Sequence, residues 1–494
     1  RTAGKAFEGA SRLALAALLT RKLTLRHSAE ADNGGEPGTA LDPAAILRDW
    51  SADECATLLE RALFGFANYG RVRFHHRSVI EYLAAQRLES MLGCGMTMKA
   101  VKRLLFAETP QDIKVVKPSM RPVTAWLACS QPSIFGEVRD REPNVLLDYA
   151  DPESLTPQQR INALRAYVEC YGQGSWRGMH VPRIQVHRFA LNELAPEVVR
   201  LWESGIENPE VRELLLELIA AVPMKDGADI AYSVIMQGAA DSGERIDALD
   251  ALMKLNDPRL EAVTHSMENN PDIWPNRLLR SSIVRLFPAH IPVERLCHIL
   301  SRVTGSRNSV SELDCLWPRS IAETDMPPGY LEALRAGLTD LVAEGVEWRK
   351  EEWPHIVTPR QHLVAPLAAI CLRKLKEGDT SAALLDSSVI ALRFTRDEYS
   401  HDEPATDLRK AFAESSASLR KAAFWADDAF NQGYHPQEDP WSRFYETNQH
   451  GAITLNAGQD ASWVLDSLSN PKLPLAERAM MLEAQAIALA LGVK

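Results

Sequence analysis

Residues Asn208–Val222 read NPEVRELLLELIAAV, a helix breaker followed by an apolar stripe, and that stretch decides the fold class. Val211, Leu214, Leu215, Leu218 and Ile219 recur at intervals of three and four, which places them on one face of a helix. The pattern returns in SGERIDALDALMKLN from Ser242 and in WPNRLLRSSIVRLFP from Trp274. Each copy is followed by a second helical stretch: ADIAYSVIMQG, RLEAVTHSMEN and VERLCHILSRV. The period is roughly 32 to 35 residues, near the range of helix-pair repeats. One pair leaves an apolar face exposed, and stacked neighbours bury it. The expectation is a mostly α chain containing an α-solenoid of HEAT-like helix pairs, an elongated curved body suited to holding a large partner.

Composition bounds the rest. The chain has 494 residues, 46% hydrophobic and 24% charged, enough for two to four structural units. A formal net charge of -11 makes nucleic acid an unlikely default partner, because phosphate binding is dominated by cationic side chains. The cysteines at 55, 94, 129, 170, 297, 315 and 371 are scattered, odd in number and never spaced C-x-x-C. That argues against a disulfide framework or a zinc site and fits a reducing cytoplasm. The apolar run Leu13–Leu19 is too short for a bilayer, which needs about 20 residues, so no membrane span is expected. The opening RTAGKAFEGASRLALAALL reads as the inside of a helical region, which suggests a fragment of a longer protein.

Working toward the N-terminus, Ala6 to Arg26 has near-helical apolar spacing and ends in the Gly-rich ADNGGEPGTA. Asp42 before Pro43 supplies an N-cap and first-turn proline for a short helix through Leu47. Ser51 caps another helix running through Leu58, Leu59, Ala62 and Leu63. Asn68-Tyr69-Gly70 signals a turn, and Arg71 to Phe74 alternates like a strand. Val72–Ala85, VRFHHRSVIEYLAA, then reads as strand, turn and helix, with Ser78 and Glu81 forming a capping box. Helix, helix, short strand and helix are compatible with a winged-helix module. Past residue 95 no strand is expected, and helices are read at Gln158–Cys170, Tyr330–Ala343, Leu363–Lys376 and Thr406–Asn431. Gly433–Gly451, broken by two prolines, reads as a long loop or insertion. The expected divisions are a helical segment at 1–35, a winged-helix domain at 36–95, linking helices at 96–205 and the repeat region at 206–494.

Phe74, His76, Ser78, Glu81, Tyr82, Leu83, Ala84 and Ala85 spell F-x-H-x-S-x-x-E-Y-L-A-A. Over about residues 55–90 the chain resembles the end of the winged-helix domain in NACHT-type STAND NTPases, the class of animal NLR receptors and bacterial antiviral Avs-like ATPases. The resemblance implies an ATPase core upstream and a repeat-built sensor downstream. Carried over, His76 would contact the β-phosphate of ADP and help hold the resting state closed, a role suited to imidazole at a helix N-terminus. Phe74, Tyr82 and Leu83 would pack the module's interior, and His75 would be an ordinary surface residue. The phosphate loop G-x-x-x-x-G-K-[ST] occurs nowhere, since Gly4-Lys5 is followed by Ala6. This chain alone is therefore expected to hydrolyse no ATP and to bind no cofactor. ADP or ATP with magnesium would belong to the longer protein.

No G-x-S-x-G, H-E-x-x-H or comparable catalytic pattern is present, so no catalytic residue is assigned. His180 with His187, and His355 with His362, sit seven apart, but nearby prolines and missing partners argue against a metal. The candidates for ligand recognition are aromatic: Trp348 and Trp353 in EWRKEEWPH, and Trp441, Phe444 and Tyr445. Trp425 and Phe430 read as packing residues. The expected role is the ligand-sensing part of an antiviral STAND ATPase. It would bind a foreign protein, for example from a phage, relieve an ADP-locked state and permit self-association. The alternatives are a HEAT-like protein-binding scaffold without a switch and a stand-alone enzyme with a hidden site.

Overall fold

Short side-chain caps start two of the early helices. The computed structural model describes residues 3–28, 39–67, 70–174, 178, 180–305, 313, 316–349, 355–394 and 403–490, and these are mostly helical with little sheet. Helix α1 (Ala3–Thr20) is followed by strand β1 (Thr24–Arg26), then α2 (Pro43–Ile46) and α3 (Ala52–Leu59). Strands β2 (Phe64–Ala67) and β3 (Arg71–Phe74) lead into α4 (Arg77–Gly93). Asp42 accepts the Ala44 N–H at 3.0 Å with Pro43 in the first turn, as expected. Ser51 and Glu54 cap α3 reciprocally, at 3.2 and 3.1 Å.

The three strands form one antiparallel sheet in the order β1-β3-β2, with Leu25 opposite Val72 and Phe64 opposite Phe74. Gly70, at φ 62, supplies the left-handed residue before β3. Leu25, Val72 and Phe74 are buried, as are Leu13, Ala14 and Ala17 of α1 and Leu83, Ala84 and Leu88 of α4, and these two helices pack against each other. Three expectations change here. The first helix ends at Thr20, because Arg21 turns to φ 58 and Thr24–Arg26 pairs with β3. Helix α3 stops at Leu59, because Phe64 is drawn into the sheet opposite Phe74. The division at 35/36 falls inside one sheet, since β1 precedes it and β3 follows it. Most of ADNGGEPGTA lies outside the described residues.

The chain divides into two compact units, Arg1–Ile235 with Gly243–Asp257, and Met236–Ser242 with Pro258–Lys494, so the expected divisions at 95/96 and 205/206 do not mark it. All the helices expected from the repeated stretches form. In the first unit they are Pro209–Ala221 and Ala228–Met236 up to Ile235, with Ser242–Leu255 from Gly243. Val211, Leu214, Leu215, Leu218 and Ile219 are all buried. Asn208 caps the first of these helices at Glu210 N, and its Nδ2 donates to Tyr171 O at 2.9 Å. Buried Arg245 donates twice to Ile235 O, at 3.0 and 2.7 Å, placing a cation at a helix C-terminus. In the second unit are Leu260–Asn269, Asn276–Leu286 and Val293–Leu300, with Trp274 buried and donating to Ser266 Oγ at 3.0 Å.

Strands do occur past residue 95, against expectation. Phe106–Glu108 (β4) pairs with Lys114–Val116 (β5), and Glu347–Arg349 (β6) pairs with His355–Val357 (β7). Three-residue strands are too short to show alternation, and β4 is anchored by burial of Phe106 against Arg141, 4.9 Å from its ring centre. The helix expected over 406–431 is two helices, Glu403–Ala413 and Ala417–Tyr434, because Ser416 caps the second at Leu419 N. The expected loop at 433–451 contains the helix Pro440–Gln449. Asp439 caps it at Ser442 N, 2.8 Å, with Pro440 in the first turn, the same device as Asp42-Pro43. Among the described residues no helix is long and apolar enough to cross a membrane.

Candidate functional site

Two places, one in each compact unit, gather the residues singled out by the sequence. The first is the start of α4. Phe74 ends β3 with its ring 4.5 Å from Phe64, and His75 N donates to Leu63 O at 3.2 Å. The His75 ring lies over Gly65, where an added Cβ would stand 2.7 Å from Cε1. His76 follows in extended backbone, φ -129 and ψ 139, as the N-cap of the 17-residue helix. Its imidazole is exposed and makes no cap hydrogen bond.

The expected capping box does not form. Helix α4 begins at Arg77, two residues earlier than a Ser78 cap requires, so Ser78 sits in the first turn and is exposed. Glu81 instead pairs with Arg77 Nε at 2.9 Å, and burial raises its carboxyl above the ordinary value despite that cation. Leu83 is buried as expected, whereas Tyr82 is 38% exposed and meets Trp126 edge-on at 5.2 Å.

The second place is a groove near the C-terminus. The helices Ala417–Tyr434, Pro440–Gln449, Ala457–Ser469 and Leu475–Ala490 share a core that includes Phe424, Phe444, Trp463, Met480 and Met481. Trp441, Phe444, Tyr445 and Asn448 follow at i, i+3, i+4 and i+7 along Pro440–Gln449, and all four line a groove of about 330 Å³. Phe444 is the buried anchor, while Trp441 and Tyr445 are 46% and 44% exposed, their rings 6.1 Å apart and tilted 35°. Ala461 and Ala484 also line the groove, and their small side chains leave its depth open.

Buried ion pairs hold this frame. Asp460 Oδ1 accepts Arg420 Nε at 3.0 Å, Arg420 Nη2 at 2.8 Å and Trp463 Nε1 at 2.8 Å, while Oδ2 accepts Asn456 N at 2.8 Å. Arg443, on the groove helix, pairs with Asp428 through Nε at 2.8 Å. Arg393 pairs with Asp427, whose other oxygen accepts Ala452 N at 2.8 Å. Burial pushes the Asp427 carboxyl up, opposed by Arg393. Each carboxylate is thus matched by a cation, and the resulting lattice spans helices distant in sequence.

Of the aromatic recognition candidates, Trp441, Phe444 and Tyr445 come together in the groove. Trp348, in β6, is stacked on His435 at 3.7 Å and 11°, so its ring face is used within the chain. Trp353 lies outside the described residues. Trp425 packs against the C-terminal core, and Phe430 contacts Phe394 and Tyr434. The sequence did not reveal Asn448 and Gln449, because Gly433–Gly451 reads as a loop, or Ala461, Ala484 and Gln485, which carry no local signal of a groove. The signal that could have found the first two was Asp439-Pro440. Among the described residues no group of three His, Cys, Asp or Glu side chains is placed to hold a metal ion. Comparison with protein-family models, curated proteins and solved structures returns no match for the chain.

Proposed function

We propose that this chain is the ligand-sensing part of a NACHT-type STAND ATPase, with residues 3–93 as its winged-helix module and the later helices as a HEAT-like sensor. The order helix, strand, two helices, two strands, helix, with β1-β3-β2 pairing, supports the winged-helix reading. The observation that carries the nucleotide role is His76, exposed at the start of a long helix with its side chain making no cap bond. Imidazole in that position donates to a phosphate oxygen where the helix dipole also favours negative charge.

In this account a foreign protein, such as one from a phage, binds the sensor, and the ATPase core of the longer protein leaves its ADP-held state. Binding shifts that equilibrium only by the ligand's difference in affinity between the closed and open states. Release from the ADP-held state would permit self-association. The test is ADP retention by the longer protein carrying His76→Ala. Faster ADP loss or activity without a trigger is expected, and retention equal to the unaltered protein refutes the switch and leaves a protein-binding scaffold.

A further inference from the structure

The groove on Pro440–Gln449 has a chemical character that narrows what it can hold. Among its described lining residues Asp460 is the single charged group, and it is 1% exposed with both oxygens engaged by Arg420, Trp463 and the Asn456 backbone. Arg443, two residues from both Trp441 and Tyr445, is held by Asp428. The groove therefore offers an entering charge no partner of opposite sign, and neutral carboxamides would compensate its desolvation only in part. What it does offer is an apolar floor at Phe444, Val464 and Ala484, an exposed aromatic wall at Trp441 and Tyr445, and the carboxamides of Asn448, Gln449 and Gln485. Carboxamides donate to and accept from peptide groups without contributing charge.

The wall also discriminates among flat ligands. Trp441 and Tyr445 lie 6.1 Å apart at 35°, too close and too tilted to sandwich a third ring between them. They present one surface, against which a side chain can lie edge-on or offset. We infer that the groove binds an uncharged polypeptide segment, whose aromatic side chain lies against Trp441 and Tyr445 over the Phe444 floor while its backbone amides meet Asn448, Gln449 and Gln485. This rests on the reading of the chain as a recognition region, and it names the partner's local chemistry: an aromatic residue flanked by peptide groups and no charge. A volume of about 330 Å³ suits one large side chain with adjoining backbone.

The experiment uses the chain by itself, so its outcome is separable from the nucleotide switch. Saturation-transfer NMR is recorded on N-acetyl-phenylalaninamide, N-acetyl-lysinamide, N-acetyl-glutamic acid α-amide and adenosine, each with the unaltered chain and with Trp441→Ala and Ala461→Leu. The first variant removes an exposed ring with little burden on folding, and the second fills the groove. The expected result is transfer to the aromatic amide that weakens about tenfold in both variants, as for a hot-spot aromatic, with none to the charged amides. Transfer to the aromatic amide that survives both substitutions overturns the assignment. So does variant-sensitive binding of a charged amide, and so does adenosine displacing the aromatic amide from the groove. If His76→Ala leaves ADP retention unchanged while this binding is found, the switch fails and the groove stands.

Discussion

Replacing Asp460 by Ala tests whether the buried ion pairs hold the groove together. Asp460 is 1% exposed and the Arg420 side chain 5%, so truncation leaves a guanidinium with little access to water. Removing one partner of a buried pair costs about 3 to 5 kcal/mol. Arg420 keeps its Nη1 bond to Ser415 O at 2.6 Å, which argues for the lower end of that range. The orphaned Trp463 Nε1 and the uncapped Asn456 N–H each add about 1 kcal/mol, which brings the total to about 5. A chain of two compact units does not unfold in one step, so the assay is local: amide hydrogen exchange across Ala457–Ser469 and Leu475–Ala490. Protection there should fall at least about a hundredfold, at 1.4 kcal/mol per factor of ten, where local opening controls exchange. Exchange in α1 and α4 should not change. Protection within about threefold of the unaltered chain would refute the reasoning, since that corresponds to less than about 1 kcal/mol. The double variant Arg420→Met with Asp460→Leu should recover much of the loss, because apolar replacement of a buried pair is often neutral.

Gly451→Ala should disorder the same region, because an added Cβ would collide with Thr447 O and the Asp427 carboxylate; exchange at Ala452 and in Pro440–Gln449 should rise. Asn208→Ala removes both a cap and the bond to Tyr171 O, and should lower protection in Pro209–Ala221 by about 1 to 2 kcal/mol. Asp247 is raised to about 7, first by burial and then by Glu217, Glu213 and Asp250. Its folded value lies above the unfolded one, so the protonated form's stabilisation is full below about pH 4 and lost as pH rises through 7. Asp247→Asn should therefore flatten the fall in thermal stability between pH 5 and 8, and an unchanged profile would count against the assignment. Gly65→Ala should displace the His75 ring, and ADP retention by the longer protein should be unaffected if His76 alone meets the phosphate.

Helix identity was legible wherever a stripe ran for three turns, as in Pro209–Ala221, because one buried face dictates the spacing there. Strand β3 was legible at its full extent, since Arg71–Phe74 alternates and follows a turn signal. Its partners were not, because Thr24–Arg26 and Phe64–Ala67 take strand geometry from pairing with it, and local sequence continues the preceding helices. The capping box at Ser78 failed for a related reason: Arg77 enters the helix first and takes Glu81 for itself. In the groove, Trp441, Phe444 and Tyr445 stood out in the sequence as aromatic candidates, but Asp439-Pro440 reads as a break where it starts a helix. The alanines that open the groove carry no local signature, since their effect depends on which helices they face.

On the proposed function, His76 meets the β-phosphate of ADP held by the ATPase core of a longer protein. The most direct measurement is the ³¹P spectrum of ADP bound to the longer protein, compared among the unaltered form, His75→Ala and His76→Ala. The β-phosphorus resonance is expected to move in the His76 variant alone. A resonance unmoved by His76→Ala, or moved equally by both substitutions, would contradict it.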